Sequence, residues 1–385
     1  MKLSLLLASA ASLSLTSAFP LGGFFDNFQF PFSANNEERI VLISDIPHTI
    51  KESDKLSLRK QGVKFMDVTD HPHLIDTKEV TVPVYDYPKK PHYETQVKEL
   101  TAQVNKTKLH DNLEEFSSFR SRYYKSEYGL KSAQWLFHKL EHIIAEADES
   151  GLKITVSKFP HSWLQFSIIV HIEGTETPEN IVVVGAHQDS TNLLLPNLLP
   201  APGADDDGSG VTTNLEALRI LVSSGFKPKN SVEFHFYSAE EGGLLGSLDI
   251  FTSYKNQNKT VLGMLQQDMT GYVQKTLDNG QAEHVGVISD YVSVGFTEFI
   301  KIVIESYLSI PWVETECGYA CSDHASALKN GYPSSFIIES EFKYSNPHIH
   351  SVGDTLDKLS FDHIAEFTKL VLGYSYELGF HDFKL

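Results

Sequence analysis

Short blocks of Val, Ile, Leu and Phe alternate along this chain with longer segments in which apolar residues recur every three or four positions. Residues 132–144 (Ser-Ala-Gln-Trp-Leu-Phe-His-Lys-Leu-Glu-His-Ile-Ile) have the helical spacing, and the unbroken run Ile-Val-Val-Val at 181–184 reads as a strand buried on both faces. The same reading predicts a helix over 211–222, a strand over 231–238, a helix over 246–254 and strands over 261–267 and 285–289. A helix over 294–308, a strand over 335–338 and a C-terminal helix over 362–378 complete the series. Continuous aliphatic strands alternating with amphipathic helices predict an α/β three-layer sandwich, with a mixed, mostly parallel central β-sheet flanked by helices. The pattern shows no internal repeat and no break after residue 87, so residues 88–385 are expected to form one domain.

The N-terminal part is patterned differently. Lys2, the apolar run that follows it and the small residues Thr16-Ser17-Ala18 form a secretory signal peptide over 1–18, so the chain is expected to be extracellular. Residues 19–37, rich in Phe, Gly and Asn, have no sustained period. A strand-like stretch at 39–44 and a charged, helix-compatible stretch at 52–60 precede the Pro-rich Tyr87-Pro88-Lys89-Lys90-Pro91. Residues 19–87 fit a pro-segment; an ordinary N-terminal part of the mature fold fits them equally.

Composition narrows the possible partners. Hydrophobic residues at 41% and charged residues at 21% are those of a folded globular protein. A formal net charge of −18 argues against a nucleic-acid partner, because a phosphate backbone demands a positive face. After the leader no apolar run approaches the roughly 18 residues of a membrane span. The only cysteines are Cys317 and Cys321, and in an oxidising compartment so close a pair suggests a disulfide, with free thiols as the alternative. Asn105-Lys106-Thr107 and Asn258-Lys259-Thr260 fit the N-glycan acceptor rule.

The polar residues with chemical potential stand where the predicted strands end. His187-Gln188-Asp189 follows 181–184, Glu240-Glu241 follows 231–238, and Asp268 closes 261–267. Asp205-Asp206-Asp207 lies between Gly203 and Gly208, just before the helix at 211, and His350 follows the strand at 335–338. Open α/β sheets gather their functional groups at the carboxyl ends of strands. Singly, each group has a bland explanation: a core histidine, a helix-capping cluster, a solvated carboxylate pair. Jointly, two histidines and several carboxylates supply what two zinc ions need, including a carboxylate to bridge them.

The motifs His187-Gln188-Asp189-Ser190, Pro202-Gly203-Ala204-Asp205-Asp206-Asp207-Gly208-Ser209-Gly210 and Ala239-Glu240-Glu241-Gly242-Gly243 resemble those of the co-catalytic zinc aminopeptidases. So do Gln267-Asp268-Met269-Thr270, Cys317-Gly318-Tyr319-Ala320-Cys321-Ser322-Asp323-His324 and Asn346-Pro347-His348-Ile349-His350. The likeness is to the secreted leucine aminopeptidases of fungi and marine bacteria and runs over about residues 90–385. It implies a zinc exopeptidase fold, a monomer, and removal of leucine and other apolar residues from peptide N-termini. It also implies a residue-level scheme. Asp206 bridges two Zn2+ ions, Glu241 and His350 complete one, and His187 and Asp268 complete the other. Glu240 is the general base, Asp189 orients His187, and the Asp206–Asp207 peptide is cis. An apolar pocket would comprise Met269, Ile288, Cys317, Tyr319, Cys321, Phe336, Ile338, Phe342 and Ile349, with a Cys317–Cys321 disulfide shaping its wall and Tyr319 able to donate to a developing oxyanion. Ser345 stands where some relatives carry a tyrosine. By the same likeness, residues 38–86 form a removable segment, inhibitory or folding-assisting, with the fungal pattern at 58–67.

Rival readings each lack a feature. Zinc carboxypeptidases of the same superfamily carry Glu in place of Asp268 and often a lid insertion, for which there is no extra sequence. A single-zinc glutaminyl cyclase does not need the full two-metal set. A non-catalytic ectodomain on a decayed peptidase fold would be expected to lack a ligand or Glu240, and none is missing.

Overall fold

The computed structural model describes residues 37–75, 80–146 and 151–384; the predicted signal peptide and nearly all of the leader lie outside them. In chain order the elements begin with β1 (Glu38–Ile43), β2 (Ile46–Lys51), α1 (Asp54–Lys60) and β3 (Met66–Asp67). Three helices follow: α2 (Glu94–Thr101), α3 (Lys106–Ser117) and α4 (Glu127–Ala145). Next come β4 (Ile154–Phe159), β5 (Ser167–Ile172), β6 (Thr177–His187), α5 (Gly210–Ser223), β7 (Asn230–Tyr237), α6 (Leu245–Asn256) and β8 (Thr260–Gln267). The chain ends with α7 (Gln274–Asp278), β9 (Val285–Ile288), α8 (Val294–Tyr307), β10 (Trp312–Thr315), α9 (His324–Lys329), β11 (Ser334–Ile338) and α10 (Phe361–Phe380).

The central sheet has eight strands in the order β10-β9-β11-β8-β6-β7-β5-β4. β11, β8, β6 and β7 lie side by side and parallel, whereas β5 runs against β7 and β9 against β11. The sheet is therefore mixed, with its parallel part at the centre. Alternation along β6 shows why helices cover both faces: Val182 and Val184 join the large core beneath α4, α5, α8 and α10, while Ile181 and Val183 join the smaller core beneath α6 and α9. Among the described residues, no helix is long and apolar enough to cross a membrane.

Two features at the N-terminal end bear on where the domain begins. Tyr87, assigned above to the segment before the catalytic domain, is buried in the large core, stacks on Phe299 and donates its hydroxyl to the Leu262 carbonyl at 2.6 Å. Its ring belongs with the domain that follows. Residues 38–67 form a separate antiparallel sheet, β2-β1-β3. Its apolar face (Leu42, Met66, Val68, Leu74) packs on Leu244, Leu248 and Ala325 of the catalytic domain.

Candidate active site

Four adjacent parallel strands deliver the site from their carboxyl ends. β6 ends on His187, β7 runs into Glu240 and Glu241, β8 runs into Asp268, and the chain after β11 returns with His350. The irregular turn Ala204–Ser209 completes the ring, and its Asp206–Asp207 peptide bond is cis, as the resemblance implied. Asp207 does not point at the ligands. Its Oδ2 accepts the His187 N–H (3.0 Å) and its Oδ1 accepts the N–H groups of Met269 (3.1 Å) and Gly210 (3.0 Å). One buried carboxylate thereby ties three loops together. Asp354 accepts the N–H groups of Asp205 (2.9 Å) and Asp206 (3.1 Å), and Asp205 in turn accepts from Gly271 N–H and Asn346 Nδ2.

The predicted ligands converge in two sets. His187 Nε2 lies 3.0 Å from Asp206 Oδ1 and 3.5 Å from Asp268 Oδ1; His350 Nε2 lies 2.9 Å from Asp206 Oδ2 and 3.2 Å from Glu241 Oε1. Asp206 offers a different oxygen to each set, which is the disposition of a bridging ligand. Bonds of about 2.0–2.1 Å in a tetrahedron put neighbouring donors about 3.3 Å apart, so these spacings fit a zinc-sized ion. His187 Nε2, Glu241 Oε1 and Asp268 Oδ1 are buried with no hydrogen-bond partner, although buried polar atoms are seldom left so. The residues fit a divalent metal in each set. A third group, His110, Asp111 and Glu114 on α3, is largely solvent-exposed.

The electrostatics point the same way. Burial alone would raise the Asp206 carboxyl, yet His350 and His187 hold it well below the usual carboxylate range. Burial alone would lower His350, yet Glu241 and Asp206 drive it up to about 10. The convergence point favours positive charge. Beside it, burial and the carboxylates of Glu241, Asp323 and Asp268 push the Glu240 carboxyl well above its ordinary range, against the opposing pull of His187. Raised carboxyl pKa values are typical of residues that shuttle protons.

Asp189 lies against His187 chiefly through its main chain. His187 Nδ1 is 3.1 Å from the Asp189 main-chain carbonyl and 3.6 Å from its carboxylate, so the carbonyl is the acceptor that fixes the ring. The carboxylate is occupied elsewhere: it accepts the N–H groups of Glu240 (3.0 Å) and Glu241 (3.2 Å) and so holds the turn after β7. Ala239, Met269 and His350 all have positive φ (58°, 63° and 56°), a conformation that L residues adopt at some cost and that clusters at functional sites.

The predicted apolar residues gather at one cavity, with Ile288 and Cys317 outside its lining. Met269, Ile288, Phe336 and Ile338 make one buried cluster with Cys317, Cys321, Phe342 and Ile349 packed against it, and Cys317 and Cys321 are disulfide-bonded. Met269, Tyr319, Phe336, Ile338, Phe342 and Ile349 line the cavity that opens on Asp206, Glu240, Glu241, Asp268 and His350; Ile288 packs behind it. Ser345 lines it too.

Besides Asp354, the sequence reading missed two arginines. Arg122 is fully buried and donates Nε to the Gln188 carbonyl (2.8 Å), Nη2 to the Gly203 carbonyl (2.8 Å) and Nη1 to the Pro202 carbonyl, bracing the loops of His187 and Asp206. Gly203 lies at φ 54°, and a Cβ there would stand 2.7 Å from Arg122 Nη2. Arg59 of α1 reaches the cavity and donates to Glu241 Oε2 at 2.7 Å.

The sequence profile of peptidase family M28 matches residues 167–375, the stretch that carries the two ligand sets, Asp189, Glu240 and the apolar pocket, but neither arginine. The chain belongs to peptidase family M28. It is 53% identical over 340 residues to leucine aminopeptidase 1 of Fusarium vanettenii, covering 87% of this chain and 85% of that protein. It is 51% identical over 359 residues to leucine aminopeptidase 1 of Colletotrichum graminicola (91% and 89%). Among solved structures, the LapA aminopeptidase of Legionella pneumophila matches with a TM-score of 0.79 and 25% identity, over 90% of this chain and 99% of that one. Like other M28 members, the chain is a hydrolase of the exopeptidase class acting on peptides.

Proposed function

We propose that this M28 peptidase is a secreted aminopeptidase that releases leucine and other apolar residues from peptide N-termini, with two zinc ions held by His187, Asp206, Asp268, Glu241 and His350. The observation that carries the reading is the pair of ligand sets sharing Asp206 at the mouth of an apolar cavity, with Glu240 beside them. The leucine aminopeptidase names of its relatives support the choice of substrate. A divalent metal in each set would supply Lewis acidity and make water a nucleophile near neutral pH. Glu240, held in its turn by Asp189, takes the proton of that water and passes it to the leaving amine. Met269, Phe336, Ile338 and Phe342 receive the side chain of the first residue, and each methylene of misfit costs about 1–3 kcal/mol, so selectivity is broad.

Residues 37–75 act as a pro-segment whose sheet covers the cavity mouth, and Asn105 and Asn258, both exposed, are available to carry glycans. The burial of Tyr87 in the core and the packing of Tyr85 on Phe383 support a removable part that ends before Tyr85. A monomer suffices, since the site is complete within one chain. The test is a peptide-digest time course followed by mass spectrometry, with Glu240→Ala and a chelator as controls. Stepwise loss of apolar residues from the N-terminus, abolished by either control, is expected. Trimming from the C-terminus alone favours a carboxypeptidase instead.

A further inference from the structure

The N-terminal sheet does more than lie over the cavity. Arg59 extends from α1 to the metal-ligand carboxylate Glu241, and its side chain is only 12% exposed in the pair. It is stacked on Phe65, with the guanidinium carbon 5.6 Å from the ring centroid. Arg59 and Phe65 line the same cavity as Asp206, Glu240, Glu241, Asp268 and His350. The surrounding bonds hold this arrangement in place. The buried Lys55–Asp67 pair (2.7 Å) locks α1 to β3, and Asp67 N–H donates to the Gly243 carbonyl (3.0 Å), directly on the turn that carries Glu240 and Glu241. Gly243 sits at φ 107°, where a Cβ would meet Phe65 at 3.0 Å and Asp67 N at 3.1 Å, so the close approach of the two segments requires glycine.

We propose that Arg59 is the inhibitory plug of the uncleaved chain: a permanent cation, seated on a ligand carboxylate and braced by Phe65, that occupies the space a substrate must enter. An arginine suits this post because its guanidinium stays charged when buried and grips a carboxylate through a planar fork. The inference rests on the peptidase reading above and adds the residue and the contact through which the site is silenced. Its neighbour Lys60 provides an internal control, since it lies on the exposed side of α1 and donates to the Leu194 carbonyl (2.9 Å) outside the cavity.

The experiment compares full-length wild type, Arg59→Ala and Lys60→Ala, each with its N-terminal segment verified by intact mass, before and after limited proteolysis removes that segment. Leucine-arylamide hydrolysis is one readout. Hydrogen exchange of the β1 and β3 amides is the other, and it reports docking of the segment without turnover. We expect uncleaved wild type and Lys60→Ala to be silent and uncleaved Arg59→Ala to be at least tenfold faster, with all three equally active once trimmed. Slow exchange at β1 and β3 in Arg59→Ala marks removal of the plug with the sheet still docked; fast exchange marks Arg59 as the contact that also holds the sheet down. An uncleaved Arg59→Ala chain as silent as wild type overturns the proposal, as does an uncleaved wild type as fast as its trimmed form. A trimmed wild type without activity overturns the peptidase reading itself, and the plug with it.

Discussion

Replacing Arg122 by lysine keeps a positive charge at the centre of the site while removing its geometry. The native guanidinium spans three carbonyls, those of Gln188, Pro202 and Gly203, and lies 4.3 Å from the Phe116 ring centroid. Burial lowers its pKa to about 10, opposed by Asp354, Asp206, Asp189 and Asp207, so it remains charged at neutral pH. A lysine ammonium is a single point of charge and cannot serve three acceptors arranged around a planar fork. One or two buried carbonyls then lose a charged donor, at about 1.5–3 kcal/mol each before relaxation. We therefore expect Arg122→Lys to lower the unfolding free energy of the metal-depleted chain by about 2–4 kcal/mol. Arg122→Met, which leaves all three carbonyls without a donor, should cost about 3–5 kcal/mol or more. Because the braced loops carry His187 and Asp206, part of that loss reappears as weaker metal binding, about tenfold for each 1.4 kcal/mol. Urea unfolding followed by tryptophan fluorescence measures the first quantity, and competition with a chromogenic chelator measures the second. An Arg122→Lys chain within about 0.5 kcal/mol of wild type in stability, with unchanged metal affinity, would refute the account.

The bridging geometry of Asp206 makes a sharper distinction: Asp206→Ala should lose metal from both sets, whereas His350→Ala should lose it chiefly from one, as read by metal analysis after dialysis. Two metals retained in Asp206→Ala would exclude the shared ligand. A pH dependence follows from Asp323, whose carboxyl is raised from 3.8 to about 7, chiefly by burial. The folded chain then holds this proton more tightly than the unfolded chain does. The contribution to stability is greatest at low pH and declines as pH rises from about 4 to about 7. Urea midpoints of the metal-depleted protein should show a shallower decline over that window in Asp323→Asn, and an unchanged slope would contradict the assignment.

How much of this was legible in the sequence follows from what each residue type signals. β6, β8 and β11 contain continuous apolar runs and β7 alternates Val232, Phe234 and Phe236 with polar residues, so their ends, and the residues standing there, could be read directly. The edge strand β4 alternates half-buried and exposed positions and gave too weak a signal to be read as a strand. β5 and β9 run against the parallel centre, and pairing direction has no local mark in sequence. Arg122 escaped because arginine is ordinarily a surface residue; only the folded chain surrounds it with carbonyls. Asp189 was expected to orient His187; that its carboxylate also accepts N–H groups 51 and 52 residues away has no local mark in the sequence. Arg59 acts across 182 residues, a distance over which sequence pattern carries no information.

The small sheet β2-β1-β3 borrows Leu244, Leu248 and Ala325 to complete its apolar face. A piece spanning residues 37–75 is near the size below which chains seldom fold without disulfides, metals or a partner. While covalently joined, it sees its docking surface at the high effective concentration of a tether; once severed, it has to find that surface from dilute solution and refold upon it. Cleavage would thus work as a ratchet. On the pro-segment reading proposed above, the fragment would lose its shape as it left, and a single cut would commit each molecule to the open state without any further event to keep it there.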